Sequence, residues 1–213
     1  MRTISVGHSP DADDIFMNYA IKFGWVSIEN TKFENIALDI ETLNQATLKG
    51  IYDICAISFA LYPFVKDDFA LLKTAVSFGE GYGPKLIKKK GTKLKKNFKV
   101  ALSGEFTTNA LLFKIAYPDA RISYMNFLDI ENAVINGDVD AGVLIHESIL
   151  TYSSVLEVER EIWDIWVELC EGEELPLPLG GMCLRRSIPL HEAIKYENAL
   201  IKVGDNPKDL LKF

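Results

Sequence analysis

The apolar positions fall into short runs separated by stretches with helical spacing. Arg2-Thr-Ile-Ser-Val-Gly7, Tyr52-Asp-Ile-Cys-Ala-Ile57 and Asp140-Ala-Gly-Val-Leu-Ile-His146 are too short for helices and apolar enough for buried strands. Between the first two, Ile15, Phe16, Tyr19, Ala20 and Phe23 recur at helical spacing, behind Asp13 or Asp14 as the N-cap. Residues 33–40 predict a second strand, 43–49 a short helix closed by Gly50, and 69–77 a further strand. A similar alternation follows, with a strand at 99–103, helices at 108–117 and 129–136, and the strand that ends at His146. A long amphipathic helix is predicted over 151–171, stopped by Gly172. Strands alternating with helices imply an α/β fold with largely parallel sheets.

Three of these strands run into polar residues: His8-Ser9 after the first, Ser58 after the second, and His146 itself. In open α/β sheets, ligands bind beyond the carboxyl ends of the strands. Histidine also exchanges a proton near neutral pH, so the function is expected where these ends converge. Eight lysines between Lys85 and Lys99 and eight acidic residues between Glu157 and Glu174 read as solvated surfaces and a connector. That reading is preferred to a polyanion site. With a second connector at Leu175-Pro-Leu-Pro-Leu-Gly-Gly181, the expected domains are 1–89 with 184–213, and 90–183, separated by a cleft.

Composition narrows the function. A chain of 213 residues can bury a sizeable core, and its 48% hydrophobic share is that of a soluble globular protein. The net charge of −7 argues against nucleic acid as the partner. No apolar run has the length of a signal peptide core or a membrane span, so a cytoplasmic location without membrane contact is expected. The three cysteines, Cys55, Cys170 and Cys183, are scattered and odd in number, which fits neither a disulfide framework nor a zinc site.

The candidate chemistry is concentrated in a few places. Thr107 stands where a helix N-cap belongs, and the helix terminus behind it suits a carboxylate or phosphate, with the threonine hydroxyls as further donors. It also serves simply as a cap. Ser58 is an N-cap, a ligand contact or both. It is not read as a nucleophile, because no G-x-S-x-G elbow surrounds it. The turn His8-Ser-Pro-Asp-Ala-Asp-Asp14 carries three carboxylates, but capping accounts for them and no metal is expected. Gly79-x-Gly81-x-Gly83 is followed by Pro84 and a strand-like segment, unlike a phosphate loop. Glu147, next to His146, either orients its ring or faces solvent, and His191 reads as a surface residue.

The segments SPDADDIF, YDICAISFALYP, SFGEGYGPKLI, SGEFTTNALL, DAGVLIHESILTY and LPLPLGGMCLRR, taken in order, resemble the 1,4-dihydroxy-6-naphthoate synthase family of the futalosine route to menaquinone. The resemblance implies a two-lobed fold of type 2 periplasmic-binding-protein kind with a central cleft, working inside the cell. It implies a lyase that converts cyclic dehypoxanthine futalosine to 1,4-dihydroxy-6-naphthoate. His146 would be the general base, with Ala56, Ile57, Ser58, Thr107 and Thr108 at the substrate and Ser9, Asp14 and Asn44 as further contacts. No cofactor or metal is implied, the partner is a small carboxylate substrate, and the protein is a monomer or homodimer. Family members run longer, with further helices returning to the first lobe. The alternatives are chorismate dehydratase of the same pathway and a non-catalytic cytoplasmic solute-binding module.

Overall fold

A computed structural model describes residues 2–10, 18, 20, 21, 23 and 27–205. The chain divides into two compact units, residues 1–77 with 180–213 and residues 78–179. The division therefore falls before residue 78 and after 179, and the expected boundaries at 89/90 and 183/184 are displaced.

The first unit is built on a five-stranded sheet of order β2-β1-β3-β10-β4. Its strands are β1 (Arg2–His8), β2 (Thr31–Ala37), β3 (Ile54–Ser58), β4 (Phe69–Gly79) and β10 (Leu177–Arg185). β1 pairs parallel with both β2 and β3, while β10 returns antiparallel to β3. β3 is buried along its whole length, which is why its sequence is continuously apolar rather than alternating. Helix α1 (Ile40–Leu48) follows β2, capped by Asp39, whose carboxylate accepts from Thr42 N at 3.1 Å. Gly7 has no room for a side chain: an added Cβ would lie 2.8 Å from both Leu43 Cδ2 and Tyr52 Cδ2. A one-turn helix α2 (Tyr62–Val65) precedes β4.

The second unit repeats the arrangement. Its sheet order is β7-β6-β8-β5-β9, with strands β5 (Lys85–Lys89), β6 (Lys99–Leu102), β7 (Arg121–Tyr124), β8 (Ala141–Leu144) and β9 (Leu156–Glu161). Here too three parallel strands are followed by an antiparallel one, since β6 pairs parallel with β7 and β8, and β5 runs antiparallel to β8 and β9. Helices α3 (Thr108–Ala116), α4 (Ile130–Asn136) and α5 (Ile162–Leu169) belong to this unit, and α6 (Leu190–Asp205) to the first. Buried Ile87, Ala101, Ile130, Val134, Leu144 and Leu156 form the core where α4 meets the sheet.

Three expectations change. The first part of the lysine run, Lys85–Lys89, is a strand and not a connector. Lys85 and Lys88 sit in β5 opposite the acidic β9, in register Lys85↔Glu161 and Lys88↔Glu157, with ion pairs of 3.6 Å each. Within the long helix expected at 151–171, Leu156–Glu161 is therefore strand β9, and only Ile162–Leu169 is helical. Leu156, Val158 and Arg160 alternate with Glu157, Glu159 and Glu161, a period of two that partner charges on β5 select over the helical reading. The second connector is also a strand. Pro178 lies in β10 ahead of the stretch paired with β3, which begins at Gly180↔Ser58, so the missing N–H costs no bond to that neighbour. Gly180 and Gly181 are needed for closeness: an added Cβ would stand 2.8 Å from Ile57 O at Gly180 and 3.1 Å from the Phe59 ring at Gly181. Among the described residues no helix is long and apolar enough to cross a membrane.

Candidate functional site

In the first unit, the polar ends of the parallel strands lie side by side, because β1 and β3 are neighbours in register Gly7↔Cys55. His8 ends β1 and is buried, with its Nδ1 2.7 Å from Ser9 O. A carbonyl oxygen only accepts, so Nδ1 carries the ring proton. Ser9 is buried beside it. Ala56, Ile57 and Ser58 are all buried in β3, opposite Met182, Gly181 and Gly180. Ser58 N donates to Asn44 Oδ1 at 2.9 Å, and Asn44 Nδ2 donates to Ser58 Oγ at 3.1 Å. Asn44, expected as a substrate contact, thus engages Ser58 with both arms of its amide. Asp14 and the helix expected around residues 15–23 fall largely outside the described residues. Cys55 and Cys183 face each other across β3 and β10 as thiols, both fully buried. Burial pushes the Cys183 thiol far up from its ordinary pKa, so it is inert at neutral pH.

The second unit brings together two more strand ends. β6 and β8 are parallel neighbours, Ala101↔Gly142, and lead respectively to Ser103 and to His146. Beyond Ser103 the chain turns into α3, whose N-cap is Thr107. Thr107 Oγ1 accepts from Ala110 N at 3.3 Å and faces Gly104 O at 3.0 Å and Asn109 Oδ1 at 3.2 Å. Asn109 Nδ2 in turn donates to Ser103 Oγ at 3.3 Å. Thr108 Oγ1 donates to Leu179 O at 2.8 Å. Both threonine hydroxyls are therefore engaged within the unit. An anion at this terminus would meet backbone N–H groups of the first turn, in the field of the helix dipole. The Ser103–Asn109–Thr107 network escapes sequence reasoning, although an Asn two residues into a helix, where it favours local hydrogen bonds, is a usable signal.

His146 follows β8 with φ of 53°, in the left-handed region. That conformation costs an L-residue roughly 1–2 kcal/mol and is concentrated at functional sites. β8 is held close beneath it: an added Cβ on Gly142 would lie 2.4 Å from Ile130 Cγ2. The His146 ring is half-buried and meets the Phe127 ring edge-on, centroids 5.1 Å apart at 69°. Phe127 packs on the core at the start of a single turn whose cap, Asn126, accepts from Leu128 N at 3.0 Å. Phe127 and His146 are nineteen positions apart, and nothing local in the sequence links them. Glu147 is exposed. His191 is on the surface, its side chain 72% exposed.

Two α/β units with this strand order have counterparts among solved structures. An arginine-specific periplasmic binding protein of Salmonella typhimurium superposes with a TM-score of 0.69 at 14% identity, covering 98% of this chain and 96% of its own. At that identity the likeness speaks for the fold alone, a two-lobed periplasmic-binding-protein-like α/β architecture. A crystal structure of an Archaeoglobus fulgidus protein is more similar, with a TM-score of 0.87 and 35% identity, covering 97% of this chain and 78% of the other. A 1,4-dihydroxy-6-naphthoate synthase of Thermus thermophilus is 31% identical over 191 residues, 88% of this chain and 68% of the relative. The family described as menaquinone biosynthesis matches residues 4–206. The chain belongs to the 1,4-dihydroxy-6-naphthoate synthase family of menaquinone biosynthesis, and is an enzyme of that family.

Proposed function

We propose that this chain is a cytoplasmic, cofactor-independent carbon–carbon lyase that converts cyclic dehypoxanthine futalosine to 1,4-dihydroxy-6-naphthoate. The observation that carries the reading is His146: a histidine at a strand's carboxyl end, held in a left-handed backbone against Phe127, in a chain similar to named synthases. Neutral imidazole at this position removes a hydroxyl proton from the substrate. The electrons released cleave the adjacent carbon–carbon bond in the retro-aldol sense, the sugar-derived part leaves, and the ring aromatises. A general base contributes roughly 10²–10⁴-fold, with the remainder from orientation of the substrate. The first turn of α3 receives the substrate carboxylate, and Ser58, at the end of β3, is a substrate contact.

The test is incubation with the cyclic substrate in metal-free buffer, following naphthoate formation. Chorismate dehydratase would leave this substrate untouched and consume chorismate instead. A solute-binding module would bind it without product. In His146→Asn, turnover should fall by about 10²–10⁴-fold while product binding is retained. Near-normal turnover in that variant sinks the assignment of the base.

A further inference from the structure

We propose that Asn44 makes the Ser58 hydroxyl an obligate hydrogen-bond donor, so that the group the substrate presents to Ser58 is an acceptor oxygen. The proposal rests on the reading of this site as the lyase site and deepens it. Asn44 lies on α1 and Ser58 at the end of β3, and the two side chains are 0% and 4% exposed. The backbone N–H of Ser58 can only donate, so the amide atom 2.9 Å away is the oxygen of Asn44. The other arm is then the NH₂ group. It can only donate, and it stands 3.1 Å from Ser58 Oγ. Ser58 Oγ therefore accepts from Asn44, and its single proton is directed away from that amide. No acceptor among the described residues takes this proton.

A buried hydroxyl with one of its two lone pairs occupied and its proton taken by none of the described residues asks for an oxygen acceptor. A carboxylate, carbonyl or phenolate oxygen meets that demand; an ammonium group does not. Ser58 is the last residue of a strand whose parallel neighbour ends in His8 and Ser9, at the strand ends where α/β ligands bind. Asn44 is therefore a positioning residue that acts through Ser58.

Two variants of Asn44 separate this role from a merely structural clamp between helix and strand. In Asn44→Asp, the carboxylate still accepts from Ser58 N–H but also accepts the Ser58 proton, taking it from the substrate. In Asn44→Ala, the hydroxyl is released and can still donate, while the buried Ser58 N–H loses its partner. Affinity for 1,4-dihydroxy-6-naphthoate, measured by titration calorimetry, should therefore fall further in Asn44→Asp, by roughly 10–100-fold, than in Asn44→Ala. Resistance to urea should rank the opposite way, with Asn44→Ala the less stable. Adding Asn44→Asp to Ser58→Ala should cause no further loss of affinity, which distinguishes proton capture from charge repulsion. The proposal is overturned if affinity follows stability, with Asn44→Ala the weaker binder, or if Asn44→Asp adds a further loss to Ser58→Ala. Wild-type protein that binds with the expected ranking yet turns nothing over overturns the lyase reading alone. Turnover without the ranking overturns this proposal alone, and no binding at all overturns both.

Discussion

The left-handed backbone at His146 makes a prediction in which the sign, not merely the size, is informative. At an ordinary position, replacing alanine by glycine destabilises by about 0.4–1 kcal/mol, because glycine gives the unfolded chain more freedom. At φ of 53° the folded state pays a further steric cost for any Cβ, of about 1–2 kcal/mol. The two terms oppose each other, and the second is the larger. His146→Gly should therefore be more stable than His146→Ala by about 1 kcal/mol. The comparison cancels the lost ring contact with Phe127, because both variants lack it. Urea unfolding followed by tryptophan fluorescence is a suitable assay. In a Trp25→Phe background the remaining tryptophans, Trp163 and Trp166, both lie in α5, so the signal reports on the unit that carries His146. Both variants should lack the general base and show the same residual turnover. An alanine variant as stable as the glycine variant, or more so, would refute the claim that the backbone is strained here. The strain would then lose its place in the argument for His146.

Two further predictions concern the framework. Gly142→Ala should destabilise the second unit by about 1–3 kcal/mol, since its Cβ would come within 2.4 Å of Ile130 Cγ2, and Ile130→Ala in the same chain should restore part of that loss. Additive losses in the double variant would show that the contact is not the cause. Burial raises the Glu161 carboxyl pKa, and the Lys85 ammonium at 3.6 Å only partly offsets it. A carboxyl whose folded pKa lies above its unfolded value stabilises most below both values, so stability falls as pH rises through that weakly acidic window. Glu161→Gln should flatten this decline between the two pKa values in urea titrations at a series of pH values. A decline as steep as that of the parent would exclude Glu161 as its source.

Much of the architecture was legible in the chain because it is written in local patterns. Continuous apolar runs specified β3 and β8 as buried strands, and Thr107 marked the start of α3 through N-capping preferences that act within one turn. The ordered motifs around His146, Ser58 and Thr107 were sufficient to suggest the family, and the comparisons bear that out. The misread segments were those whose conformation depends on a distant partner. Residues 156–161 carry a pattern compatible with helix or strand, and the lysines of β5, some seventy residues earlier, decide between them. Residues 175–181 looked like a Pro/Gly connector, but from Leu177 onward they belong to strand β10, which pairs with β3. The same limit applied to the site. Sequence proposed His146 and Ser58 as residue types at strand ends, and the family resemblance added Asn44. Only tertiary structure set Phe127 against the imidazole, placed its backbone in the left-handed region and turned both arms of Asn44 onto Ser58. Propensity and periodicity report on a residue's neighbours along the chain, whereas proton direction and ring orientation are set by neighbours across space.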